Sequence, residues 1–224
     1  MMKFTKIDTY TKGKIMKKNA FTMIELVIVI VVLGILASLA LPRMERDVRY
    51  EAQGNLISAL QYTQNLALSD NKTDPRIADW QNKLWHLRFH PYDGSTKWVY
   101  TISSDENQEG GVDKQETAID PSNGKYMYND TISDTIDSDE SPNIFLTKQY
   151  GINSITLTGS CAANANRHIG FDHIGRPHAD INNATNTYDK YLQTDCIITV
   201  GFETSGIANL VITVEAETGY ISAI

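Results

Sequence analysis

The sequence predicts an α+β fold: a long N-terminal helix, in a transmembrane half and an amphipathic half, packed on antiparallel β-sheet. Three observations lead there. An uninterrupted apolar run, Phe21–Leu41 (FTMIELVIVIVVLGILASLAL), stands near the start. The stretch after it carries one apolar stripe at three- and four-residue spacing. Beyond residue 73, short segments alternate apolar and polar residues between turn signals, the period-two pattern of half-buried strands.

Each element follows in order. Residues 1–20 hold Lys3, Lys6, Lys12, Lys14, Lys17 and Lys18 against Asp8, so this segment is +5, and a chain of net charge −7 leaves −12 for the rest. Lysines before an apolar run set orientation, keeping the leader in the cytoplasm and sending the remainder out. The acidic remainder argues against a nucleic-acid ligand, which needs clustered Lys and Arg. At 1.5 Å per residue the run is roughly 30 Å long as a helix, the thickness of a bilayer core.

Glu25 is the anomaly in that run, since a carboxylate deep in a bilayer costs roughly 2.5–3.5 kcal/mol. Three readings compete. The run is a plain single-span anchor. Or it is a secretory signal peptide, cut after Ser38-Leu39-Ala40. Or the chain is cut before Phe21, and Glu25, one helical turn from the new amine, neutralises the amine of a neighbouring copy. Opposite charges in an apolar bundle attract strongly, offset in part by desolvation. Only the third reading gives the glutamate a task.

After Pro42, the positions Met44, Val48, Ala52, Leu56, Leu60 and Leu66/Ala67 form the apolar stripe, with Arg43, Glu45, Arg46, Arg49, Glu51 and Gln53 on the other side. One helix from about Phe21 to Asp70 is expected, its soluble half within segment 43–72 and a kink at Pro42, which lacks an N–H and crowds the preceding turn. Asn71-Lys72-Thr73-Asp74-Pro75 ends it. A β-rich domain, 73–224, follows. LWHLRF (84–89) and WVYTIS (98–103) read as a hairpin about HPYDGST. Residues 104–143 read as a long acidic loop. NIFLT (143–147) and SITLT (154–158) read as strands, RHIGFDHIGRPH (167–178) as a strand into a turn. CIITVGFE (196–203) and ANLVITVE (208–215) read as a second hairpin, and GYISAI as a last strand.

The N-terminal stretch KKNAFTMIELVIVIVVLGILASLALP, residues 17–42, resembles the signature of type IV prepilins and type II secretion pseudopilins. The likeness rests on the basic leader, Phe21, Thr22, Glu25, Gly34-Ile35-Leu36-Ala37 and Pro42. It implies that a prepilin peptidase cuts between Ala20 and Phe21 and methylates the Phe21 amine, where the family usually has Gly at the position of Ala20. It implies a bacterial inner-membrane subunit with a cytoplasmic leader and a periplasmic domain, later part of a pilus or pseudopilus. Its partners would be other pilin or pseudopilin subunits and the peptidase. A second, shorter likeness, Ile169-Gly170-Phe171, Gly175-Arg176-Pro177 and Thr218-Gly219-Tyr220-Ile221, is to the GspH/FimT minor pseudopilins, with a major pilin as the rival. The tip-most pseudopilins commonly lack the glutamate that Glu25 matches. Some FimT-like relatives bind DNA through basic residues near the C-terminus; here only Lys190 is basic after Arg176, so nucleic acid is not an expected partner.

The remaining chemistry reads as structural. Cys161 and Cys196 lie in the exported part, where disulfides persist, so pairing is the expectation and two buried thiols the alternative. His168, His173 and His178 recur every five residues, a spacing of neither helix nor strand, which favours surface or hairpin histidines over zinc. Asp130, Asp134, Asp137, Asp139 and Glu140 offer oxygen ligands for calcium without the spacing of an EF-hand, so a solvated acidic loop is favoured. Trp80, Trp85 and Trp98 read as packing. No catalytic triad or phosphate loop can be argued, and the expectation is a structural subunit, not an enzyme, without a cofactor.

Overall fold

The structure, a computed structural model, describes residues 22–77, 79–92, 96–130, 135–162, 167–183 and 188–224; over 38–47 and at 183 it describes backbone alone. The chain divides into two units, Met1–Pro42 and Arg43–Ile224. Helix α1 is assigned over Met23–Ser69. Pro42 falls within it, among the positions described as backbone alone.

In the second unit the predicted stripe is the buried one. Ala52, Leu56 and Leu60 are fully buried, and Ala59, Thr63 and Ala67 extend the same face. Thr63 sits there without an orphan hydroxyl because its Oγ1 donates to the Ala59 carbonyl at 2.8 Å. Against this face lie two four-stranded antiparallel sheets. The first has the order β2-β1-β4-β5, from β1 (His86–Tyr92), β2 (Lys97–Ser103), β4 (His168–Phe171) and β5 (Pro177–Ala179). The second has the order β3-β6-β7-β8, from β3 (Ile152–Gly159), β6 (Cys196–Phe202), β7 (Leu210–Val214) and β8 (Ile221–Ala223). Leu87, Phe89 and Ile102 of the first sheet and Ile198, Val200 and Ile212 of the second share one core with the helix stripe.

Polar contacts from α1 fix both sheets to it. Arg49 donates to the carbonyls of Ala208 and Asn209 at 3.2 and 3.3 Å. Tyr62 donates to the Ile119 carbonyl at 2.8 Å. The Gln64 amide donates to the Gly175 carbonyl at 3.0 Å and the Gly219 carbonyl at 3.3 Å. The β4–β5 turn and the β7–β8 turn, each from a different sheet, thus meet on one side chain.

The expected NIFLT strand is corrected. Residues 142–144 form a 3-10 turn and Leu146–Tyr150 a short helix, α2. The Ser141 side chain caps the turn by accepting from Asn143 N at 3.2 Å, with Pro142 at its first position. Gly151, left-handed at φ 63°, ends α2. Phe145 is thereby delivered edge-on to Tyr92, centroids 5.4 Å apart. The acidic loop carries more order than its composition suggests. Ala118 N and Met127 N donate in succession to the Ile102 and Ala118 carbonyls, extending the first sheet beyond β2. The Asp120 carboxylate accepts from Ser122 N, Ser122 Oγ, Asn123 Nδ2, Asn143 Nδ2 and Ser141 Oγ. Burial pushes Asp120 up, but these donors, Ser141 and Ser122 foremost, outweigh it and hold the carboxyl below its usual range.

Cys161 and Cys196 form a disulfide, Cα–Cα 5.3 Å, across a sequence separation of 35. Both are fully buried at the β3–β6 end of the second sheet. A loop of this length is worth about 3–4 kcal/mol in the chain-entropy account. Reduction, or Cys161→Ser with Cys196→Ser, is expected to lower the unfolding free energy by that amount, seen as a lower denaturation midpoint; an unchanged midpoint with dithiothreitol would show the bridge to be energetically idle.

Candidate assembly site

In the N-terminal unit α1 is apolar on every side. From Met23 to Leu36 its large apolar side chains are 46–90 % exposed, none covered by the rest of the described unit. A contiguous apolar surface of this kind marks a lipid or protein contact. No helix among the described residues is long and apolar enough to cross a membrane. Described side chains here run from Met23 to Ala37, roughly 22 Å of helix at 1.5 Å per residue.

The polar end of this surface is a capping box. Thr22 stands before the first helical residue, and its carbonyl accepts from Leu26 N at 3.2 Å. Its Oγ1 accepts from Glu25 N at 3.3 Å, while Glu25 Oε2 accepts from Thr22 N and Thr22 Oγ1, both at 2.9 Å. Helix-terminal N–H groups lack intrahelical partners, and the Thr-x-x-Glu pattern satisfies them reciprocally. The positive end of the helix dipole also favours a carboxylate at this position. Glu25 therefore has a local task that charge reasoning alone missed, although Thr22-Met23-Ile24-Glu25 spelled it out in the sequence. All its described partners are neutral.

The other singled-out residues fall as follows. The leader (1–20), Ala20 and Phe21 lie outside the described residues, as does Asp134. Asp137, Asp139 and Glu140 surround Lys114, whose Nζ lies 3.3, 3.0 and 3.3 Å from their carboxylates and 5.6 Å from the Tyr128 ring centroid. Among the described residues no group of three or more His, Cys, Asp or Glu could hold a metal ion. His173 lies in the β4–β5 turn, its Nδ1 2.9 Å from Thr73 Oγ1.

His168 and His178 do share a face, with two histidines that spacing did not suggest. Gly170 stands opposite both His86 and His178, so His86, His168 and His178 line one side of the first sheet, with Arg88 and His90 further along β1. His86 and His168 meet edge-on, centroids 5.3 Å apart. The layer is buried: 2 % exposure at His86, 5 % at His90, none at His168 or His178. Burial pulls His86 and His90 down to about 4, with Arg88 contributing at each, and His168 to about 2, helped by His86 and Arg88. His178 is placed differently, between Gln81 Oε1 at 3.0 Å and Asp172 Oδ2 at 3.3 Å, and Arg176 Nε donates to the same Asp172 oxygen at 2.8 Å. Burial raises Asp172, but the His178 and Arg176 hydrogen bonds prevail and hold it at about 2.

No curated protein and no solved structure matches the chain. Residues 15–41, spanning the Thr22–Glu25 cap and the exposed apolar helix, match the prokaryotic N-terminal methylation motif, and with it the chain carries the signal of type IV pilin-like subunits.

Proposed function

We propose that the chain is a structural subunit of a type IV pilus or type II secretion pseudopilus, cut between Ala20 and Phe21, methylated at Phe21 and assembled through its N-terminal helix. The observation that carries this is the methylation-motif match at residues 15–41 on a helix whose apolar surface is left uncovered. Before assembly the Phe21–Leu41 segment resides in the bacterial inner membrane, with the leader cytoplasmic and residues 43–224 periplasmic. Pro42, which has no N–H to give the carbonyl four residues back, bends the helix where it leaves the bilayer. The subunit's partners are other pilins and the prepilin peptidase, and its work is mechanical rather than enzymatic. A minor, GspH/FimT-like subunit is favoured, because Gly175 and Gly219, from the two turns of that shorter likeness, converge on Gln64.

The deciding measurement is the N-terminal mass of protein recovered from its native membrane, with and without the peptidase. N-methyl-Phe21, lost when the peptidase is absent, is the expected start. A start at Leu41, or an intact leader in both strains, would replace this reading with a secreted or anchored module.

The capping box sharpens the role of Glu25. Glu25→Gln keeps an oxygen for the Thr22 N–H but removes the charge; Glu25→Ala removes both. Processing is expected to survive in each, with filament incorporation falling on the order of tenfold or more in both if an amine must be neutralised. Normal incorporation of Glu25→Gln beside defective Glu25→Ala would assign the residue to helix capping alone.

A further inference from the structure

The pilin-like reading leaves unused a cationic cavity on the outer face of the first sheet. Strand alternation turns Leu87 and Phe89 to the core and Arg88 and His90 away from it, with Thr101 of β2 opposite Arg88. There a cavity of about 150 Å³ is lined by Arg88, His90 and Thr101 from the sheet and by Tyr128, Asn129 and Asp130 from the loop over it.

Two of its nitrogens lack what they need. Arg88 Nε and His90 Nδ1 are buried and have no hydrogen-bond partner. The Pro91 carbonyl acts on the His90 ring without reaching hydrogen-bond geometry. Among the described residues no carboxylate pairs with Arg88, and its pull below the usual arginine range comes from burial and from a second guanidinium, Arg167. Arg167 is itself stacked 5.4 Å from the Trp98 ring centroid. In a chain of net charge −7, a half-buried guanidinium facing another guanidinium is a costly arrangement. A buried donor left unmatched costs about 1–3 kcal/mol by itself.

The geometry points to a binding site for a small oxyanion, with a carboxylate held in the fork of Arg88 and hydrogen-bonded by His90 and Thr101. The guanidinium fork matches two coplanar oxygens. His90 is a neutral donor at neutral pH, so the pocket presents one cation rather than two. Asp130 on the wall opposes a second negative charge. Both features select a monoanionic carboxylate over a phosphate dianion. Its volume admits an acetate-sized group, either a small free acid or the side chain of an acidic residue on another polypeptide.

The test uses the full chain in detergent at pH 7.5, titrated with sodium acetate, N-acetylaspartate amide and inorganic phosphate against sodium chloride of equal ionic strength. A saturable Tm rise of about 2–4 °C with acetate or the aspartate compound is expected. It should be absent in Arg88→Gln and weakened in Arg88→Lys, which keeps the charge but loses the fork. Tighter binding of the aspartate compound than of acetate would place the group on a polypeptide; acetate alone would place it on a free acid. With no anion added, Arg88→Gln should be no less stable than the native chain, because it removes an unpaired charge. No saturable response to any probe, an equal response in Arg88→Gln, or a response to phosphate but not to carboxylates would overturn the assignment.

Discussion

Lowering the pH from 7.5 to 4.5 is expected to strip several kcal/mol from the stability of residues 43–224, most of it through buried histidines. His86 and His90 are held neutral in the folded chain, at about 4, by burial. An unfolded chain binds protons at both near pH 6.5. Between those values the unfolded state carries more protons, so stability is complete above about 6.5 and is lost as pH falls toward 4. At 1.36 kcal/mol per unit, each histidine contributes about 3 kcal/mol across that window. Asp172, held at about 2, works in a separate window, its stabilisation lost only as pH falls below about 3.8. Thermal denaturation at pH 7.5, 6.5, 5.5 and 4.5 reads the slope directly. His168, held at about 2 by burial, adds a third share of the same kind, so His90→Gln should flatten the slope by roughly a third; a flat profile in the native chain would mean that the histidine layer opens to solvent.

The second large effect belongs to Gly219. Its backbone is left-handed, φ +66°, and an added Cβ would stand 2.2 Å from the Gly175 carbonyl oxygen and 2.6 Å from Gln64 Nε2. Gly219→Ala is expected to cost about 2–5 kcal/mol, the sum of left-handed strain and a backbone clash that cannot relax without parting the two turns. Gly124 is the control. It is also left-handed, φ +72°, but a Cβ there meets nothing within 4 Å. Gly124→Ala should therefore cost only the strain, about 1–2 kcal/mol. Equal losses in the two variants would show that the turns do not meet as described.

Local periodicity made the helix and the two long hairpins legible in the sequence. Ala52, Leu56 and Leu60 are buried because their spacing puts them on one face, and Phe89 opposite Tyr100 or Ile198 opposite Ile212 follows from alternation about a turn. What failed was either too short for periodicity to classify or depended on partners far along the chain. NIFLT is an apolar run too short for periodicity to classify, and a Ser-Pro cap decided it. The five-residue histidine spacing, counted along the chain, pointed to surface or hairpin histidines, whereas the β4–β5 turn returns His178 to the row of His86, and His168 and His178 are fully buried. Register across strands, not separation, built that layer. At the N-terminus, charge reasoning turned to a neighbouring copy's amine as the partner of Glu25 and passed over Thr22, three residues away, which caps the same helix start.

Gln64, Arg49 and Tyr62 give the two ends of residues 43–224 different mechanical characters. The sheets have no strand in common, and turns of each are hydrogen-bonded to α1 through Arg49 and Gln64. Tension drawn through the helix must slide a whole packed face at once, loading many contacts together in shear. Tension drawn from Ile224 meets only the three-residue strand β8, whose bonds with β7 break one after another, as a zipper does. Pulled through its helix, residues 43–224 are thus strong in the direction of pull, and they are easily peeled from the other end.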